Sequence, residues 1–217
     1  MKRHTLPVAV ALAASAALLL TACGGGDEDS KDSGNIAGAG TGDAAPSASP
    51  STSADAAERP QVSLPADVKH VYDSWTSSDA DEAAVLADAK HRIEATDAAI
   101  TSGDVESKAI PFYYAGSALL GAADWIKGYT DDNYTITGTT RYYEPSLTKF
   151  DKDSVGLVYC ADESKAYDKD RKTKKVDKTA VTAKSYVLYN TRMDRNAKGV
   201  WQTSKLSSER GNKKCMP

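Results

Sequence analysis

Apolar positions along this chain change period twice, and the changes divide it. An apolar run of 13 residues, Val8 to Leu20, interrupted only by Ser15, follows Lys2 and Arg3. It is too short to span a bilayer, which takes roughly 20 residues, and it has the charged start and small-residue end of a secretory signal peptide. From Gly24 to about Pro65 large apolar side chains are almost absent, and Gly, Ala, Ser, Thr, Pro and Asp dominate. Such a segment buries too little surface to offset the entropy of ordering, so a disordered tether is expected.

Beyond Pro65 the spacing becomes helical. Val68, Val71, Tyr72 and Trp75 fall on one face of a first predicted helix opened by Pro65. Ser77, Ser78 and Asp79 offer capping oxygens for a second, whose seam is Leu86, Ala89 or Lys90, Ile93, Asp97 and Ile100. Gly103 is its left-handed stop. Ile110 to Lys127 is helical again, broken near Gly116-Ser117 and closed by Gly128. After Asp131-Asp132-Asn133 the period falls to two, predicting strands over 134–150, 155–160, 185–195 and 200–208. The polar stretch 161–179 separates the middle pair as a long loop. Helices first and strands afterwards, joined by hairpin-length turns, describe an α+β domain with an antiparallel sheet covered by helices on one face.

Charge adds a second division. The chain totals -3, yet residues 67–140 carry 13 acidic and 5 basic residues while 141–217 carry 10 acidic and 18 basic ones. Seven of those bases, Lys165, Lys169, Arg171, Lys172, Lys174, Lys175 and Lys178, crowd the polar loop beside Asp168, Asp170 and Asp177. They are the candidate contact with an anionic surface, lipid headgroups or phosphate-bearing wall polymers; mixed signs also suit a plain solvated loop. Nucleic acid is excluded as a partner by export, an acidic pI of about 5.7 and the lack of aromatics within the basic run.

Leu20-Thr21-Ala22-Cys23 resembles the lipobox of bacterial lipoproteins. The resemblance implies cleavage after residue 22, a diacylglyceryl group on the Cys23 Sγ, and anchoring to the outer face of the cytoplasmic membrane. Two acyl chains suffice for stable attachment. Residues 1–22 are then the signal peptide, 23–65 the lipidated linker, reaching roughly 35 Å as a flexible coil, and 66–217 the folded domain. Cys160 and Cys215 remain as an even pair in an exported chain, which reads as a disulfide. Without C-x-x-C or H-x-x-x-H spacing, no metal or other cofactor is expected.

The stretches Thr137-Gly138-Thr139-Thr140-Arg141-Tyr142-Tyr143, Val158 to Lys165, Tyr186-Val187-Leu188-Tyr189, Gly199-Val200-Trp201 and the late Cys215 resemble actinobacterial secreted lipoproteins with a nuclear-transport-factor-2-like, or cystatin-like, domain. That resemblance, over about residues 67–217, implies a strongly curved sheet wrapped round the helices as a cone whose open end is often a pocket. Members of the fold range from isomerases and dehydratases to carriers and interaction modules, so the fold leaves function open.

An enzyme of this shape needs a carboxylate or histidine base facing a tyrosine or acid inside the cone. Asp124, Trp125, Tyr113, Tyr114, Tyr129, Tyr142, Tyr143 and Tyr159 supply the residue types, and His70 and His91 the only histidines of the mature chain. No spacing singles out a base. Eleven tyrosines against two phenylalanines mean that Tyr fills the aromatic share of the core, and His91 reads as a structural histidine. The expectation is a non-enzymatic binding module, for a small apolar ligand in the cone or an envelope partner on the basic half. A small isomerase- or dehydratase-like enzyme is the alternative.

Overall fold

A computed structural model describes residues 58–217. The expected signal peptide, Cys23 and most of the expected linker lie outside these residues. The described chain runs β1 (Val68–Tyr72), α1 (Ala80–Ser102), α2 (Ala109–Tyr113), α3 (Gly116–Asp131), β2 (Tyr134–Asp151), β3 (Ser154–Asp170), β4 (Val176–Asp177), β5 (Tyr186–Arg195) and β6 (Trp201–Arg210), with 3₁₀ turns at Ala183–Ser185 and Lys213–Cys215. The expected α+β class is what the chain adopts: helices against one face of a curved sheet in the order β1-β2-β3-β5-β6, with β4 added to the end of β3.

The first predicted helix is instead strand β1. Val68, Val71, Tyr72 and Trp75 have helical spacing, but Val71 is exposed while Val68, His70 and Tyr72 turn inward. The period is therefore two, as β-branched and aromatic residues favour. Strand β1 pairs with β2 in parallel, from Val68 opposite Gly138 to Tyr72 opposite Tyr142. All other pairings are antiparallel. The three helices form the crossover that a parallel pair requires.

Helix α1 begins and ends at the signals its sequence carries. The Asp79 side chain accepts the Glu82 N–H at 2.9 Å, and Gly103, at φ 76°, donates its N–H to the carbonyls of Ala99 and Ile100. Its inner face, including Val85, Leu86, Ala89 and Ile93, lies on the sheet residues Leu157, Tyr159, Val187, Met193 and Trp201. A second cluster joins the C-terminal half of α1 to α2 and α3 through Ile100, Ile110, Tyr113, Ala118 and Ile126. Helix α3 passes Gly128 and ends at Asp131.

The stretch 161–179, expected as a loop, is mostly strand. Strand β3 continues to Asp170 against the first half of β2, and β4 returns after a tight turn. Its burial there is mostly intermediate, so the sequence shows no clear apolar alternation. Register shifts between Thr139 and Arg141 and between Tyr143 and Ser146 mark bulges along β2, where sheets bend. Gly138, at φ 102°, belongs to this bend: a Cβ there would lie 2.1 Å from the Lys165 carbonyl oxygen.

Cys160 and Cys215 are joined, with Cα atoms 5.4 Å apart. Cys160 sits mid-strand rather than near a strand end, next to Tyr159, which faces the helices. The bond therefore holds the 3₁₀ turn Lys213–Cys215 onto the opposite face of the sheet, where the Tyr143 hydroxyl donates to the Cys215 carbonyl.

Candidate functional site

The polar side chains buried between α1 and the sheet are the candidates for chemistry. Asp97 lies one turn above Ile93 on α1 and meets β1 across the interior: its Oδ2 is 2.7 Å from His70 Nε2, and His70 Nδ1 is 3.3 Å from the Tyr72 hydroxyl. The His70 side chain is only 4% exposed. Its ring stands edge-on to Tyr142 and Tyr72, which stack on each other. Both imidazole nitrogens thus have partners within the fold. Burial pushes the Tyr72 and Tyr142 hydroxyls above their ordinary pKa, assisted by the Glu94 and Asp97 charges at Tyr72 and by Asp97 at Tyr142.

Arg92, on the next face of α1, is 4% exposed. Its Nη2 donates to the Tyr159 hydroxyl at 2.7 Å and its Nη1 to the Tyr114 hydroxyl at 3.3 Å, while Nε has no partner. Thr96 closes the network, donating to the Arg92 carbonyl and lying 2.8 Å from the Tyr114 hydroxyl. Among the described residues no carboxylate lies within ion-pair distance of Arg92. Burial works against its charge, and the Tyr159 and Tyr114 oxygens favour it.

A third buried group, Asp88, is fully enclosed. It accepts the Trp201 N–H at 2.9 Å and a two-nitrogen contact from Arg59 at 3.2 and 2.9 Å. The chain therefore engages the folded body upstream of residue 66, and Arg59 straps the incoming segment to α1. Asp88 and Trp201 are joined across 113 residues of sequence.

These groups line the interior between α1 and the sheet. Trp75, Tyr142, Tyr159 and Tyr114 are each under a tenth exposed around Arg92 and His70. The larger described cavity, about 270 Å³, is a groove on the solvent side of α1, lined by Trp75, Thr76, Ser77, Ala83, Ala87, Lys90, His91 and Glu94. His91 stacks on Tyr113 there, with its side chain 45% exposed. Burial pushes the Tyr113 hydroxyl up to about 12.

The other candidates scatter. Asp124 and Trp125 are exposed on α3; Trp125 packs edge-on against Tyr129, whose hydroxyl donates to Asp168. Tyr143 lies on the face away from the helices. No three metal-ligating side chains come together among the described residues, and no described helix is long and apolar enough to cross a membrane.

The seven basic residues divide by role. Arg171 is not a surface contact: its Nε donates to the Tyr134 carbonyl at 2.8 Å, its Nη1 to Thr101 at 3.1 Å and its Nη2 to Ile100. The planar fork closes the free carbonyl end of α1, a role that a lysine could not fill. Lys169 pairs with Asp67, whose carboxyl is held below its usual range by that hydrogen bond and by one from Thr137. Lys175 lies 3.6 Å from Asp177. Lys165, Lys172, Lys174 and Lys178 are exposed, with no ion pair among the described residues.

Asp97 falls on an otherwise apolar seam of α1, and a carboxylate at such a position is the sequence signal of its partnership with His70. Asp88, Arg92 and Arg59 gave none: their partners lie far away in sequence, in three separate stretches.

No family profile and no curated protein matches the chain. Solved structures do. A ketosteroid isomerase-like protein from Erwinia carotovora atroseptica SCRI1043 is similar at 14% identity over 59% of this chain and 94% of its own, with a TM-score of 0.38. The hexachlorocyclohexane dehydrochlorinase LinA-type3 from Novosphingobium barchaimii LL02 is similar at 13% over 61% and 90%, TM-score 0.42. The intermembrane space region of chloroplast protein ARC6 is similar at 10% over 57% and 92%, TM-score 0.41. Scores of this size leave the architecture to stand on the strand order and register given above.

Proposed function

We propose that this chain is a non-enzymatic interaction module. A diacylglyceryl group on Cys23 holds it at the outer face of the cytoplasmic membrane, and the exposed lysines around its β3–β4 turn meet an anionic envelope polymer. The observation that carries this reading is where the free charge lies. The buried titratable groups are engaged with one another, whereas Lys172, Lys174 and Lys178 stand in solvent with Lys175 close by. Each basic residue near a negative surface contributes about 1 kcal/mol. The other form of the expectation, a small apolar ligand inside the cone, needs space among Trp75, Tyr142, Tyr159 and Tyr114, each under a tenth exposed.

The test is salt-dependent retention of the full-length chain on two probes: phosphatidylglycerol vesicles and a delipidated cell-wall fraction. Retention on the wall fraction that falls with salt, and that Lys172→Glu/Lys174→Glu/Lys175→Glu abolishes, is expected; salt-insensitive retention, or none, refutes it. Binding to vesicles alone would move the contact to lipid headgroups. Separately, Cys23→Ala should abolish acyl labelling and release the protein from membranes, and unchanged membrane association refutes the anchor.

The second reading is an isomerase- or dehydratase-like enzyme, and the His70–Asp97 pair beside Tyr72 favours it. Such a base needs a nitrogen open to substrate. Diethyl pyrocarbonate should modify His91 and spare His70 in the folded chain; rapid modification of His70 would reverse the preference.

A further inference from the structure

Strand β6 ends the sheet, and its second half, Lys205 to Arg210, is exposed throughout. The direction of its backbone groups follows from the register with β5. Gly211 donates its N–H to the Tyr186 carbonyl at 2.8 Å, and Val187 lies opposite Arg210. In an antiparallel ladder, residues alternate between facing the partner strand and facing away. Glu209, Ser207 and Lys205 therefore point their N–H and C=O groups into β5, and Leu206, Ser208 and Arg210 point theirs outward. The register shift at Ser204 resets this phase. Upstream of it the outward edge is already covered, because Thr203 accepts the Ala115 N–H and Gln202 binds the carbonyls of Pro111 and Phe112. What remains is a short window whose outward backbone groups at Leu206 and Ser208 have no hydrogen-bond partner among the described residues.

We infer that this window pairs with the same window of a second copy, as an antiparallel β6–β6 contact about a two-fold axis through Ser207. That register sets Leu206 opposite Ser208 of the second copy, so the outward groups of both satisfy one another. It also sets Lys205 opposite Glu209 of the second copy, twice over by symmetry, in the positions where facing side chains come closest. Charges on an edge strand ordinarily keep sheets apart. Here they select the arrangement: a parallel approach would oppose Lys205 to Lys205 and Glu209 to Glu209. Within one chain Glu209 accepts a hydrogen bond from the Asn212 side chain at 2.9 Å. The contact is self-complementary, as two-fold pairing demands, and it leaves the β3–β4 turn and its lysines free, so it holds whether or not they meet an anionic surface.

The experiment uses the full-length chain carrying Cys23→Ala, so that acyl chains contribute no association. Sedimentation equilibrium should give a concentration-dependent dimer. Lys205→Glu and Glu209→Lys should each weaken it about tenfold, and the two together should restore it, which no loss of folding would imitate. Ser207→Cys, placed on the axis at a spacing that suits a disulfide, should cross-link between chains under mild oxidation much faster than the exposed control Ser78→Cys. A monomer at every concentration, a double exchange that stays monomeric, or cross-linking no faster than the control overturns the proposal, as does a monomer whose β6 edge takes up an unrelated extended peptide instead.

Discussion

Arg92 offers the sharpest test of how this interior is held together, because it is a buried cation bound by neutral hydroxyls. Removing the Tyr159 hydroxyl alone, as Tyr159→Phe, strands Nη2 beside an Nε that is already unpartnered. A buried charged donor without an acceptor costs about 3 kcal/mol. Arg92→Met removes the cation and leaves the Tyr159 hydroxyl unpaired, which costs about 1–2 kcal/mol. The same change lifts the penalty of enclosing an ion without a counter-charge, several kcal/mol in magnitude. The double variant Arg92→Met/Tyr159→Phe removes both partners and keeps most of the volume, while Tyr114 retains its contact with Thr96. It should therefore equal or exceed the wild type by about 1–4 kcal/mol, although Tyr159→Phe alone falls about 3 kcal/mol below it. Urea denaturation of the four chains, read as midpoint shifts at constant slope, closes the cycle. A double variant less stable than Tyr159→Phe would refute the reasoning, since it would mean that Arg92 stabilises the fold by something other than the contacts described.

Other outcomes follow from separate features. Burial raises the hydroxyl pKa of Tyr72, Tyr142, Tyr159 and Tyr189 above the usual 10.0. Below that value the tyrosines are neutral in both states; above it the unfolded chain releases protons that the folded one keeps. Stability should thus be flat up to about pH 10 and then fall by as much as roughly 5 kcal/mol per pH unit, with the tyrosinate absorbance of these four appearing only on unfolding; their gradual ionisation in the folded state, beyond that of the surface tyrosines, would contradict the burial. Opening the Cys160–Cys215 bond, which closes a 55-residue separation, should cost about 4 kcal/mol in urea midpoint analysis, and a loss under about 1 kcal/mol would show that the bond constrains little of the unfolded chain. Arg171→Ala should cost about 2 kcal/mol and speed amide exchange in the last turn of α1, whereas exchange unchanged there would argue against the cap. Gly138→Ala should destabilise by more than about 2 kcal/mol on backbone strain and overlap; a neutral effect would mean that the bend of β2 adapts freely.

The parts of this architecture that were legible in the sequence are those whose cause is local. Asp79 and Gly103 bracket α1 because a cap and a left-handed stop act within a turn, and the change to period two after Asn133 announces the strands. Where the cause is distant, the pattern misled. Val68, Val71, Tyr72 and Trp75 imitate a helical stripe, and only pairing with β2 turns His70 inward. Arg171 is one basic residue among seven until the carbonyl end of α1 lies beside it. The long polar run 161–179 hides strand β3 because its distal half is only partly covered. His70–Asp97, Arg59–Asp88 and Arg92–Tyr159 join residues 27, 29 and 67 positions apart, and no single-sequence spacing encodes such meetings.

The parallel pairing of β1 has a consequence in time. Its neighbour in the sheet, β2, follows some 70 residues later, after three helices that can form from local contacts. A chain emerging from its N-terminal side therefore presents β1 early, with two bare edges and an unpaired His70, and must hold it so until the β2–β3 hairpin exists to receive it. The first strand made is among the last placed. Closing that gap carries the entropy of the longest loop in the β ladder, so the docking of β1, with His70 reaching Asp97, is the step expected to govern how fast this domain becomes complete.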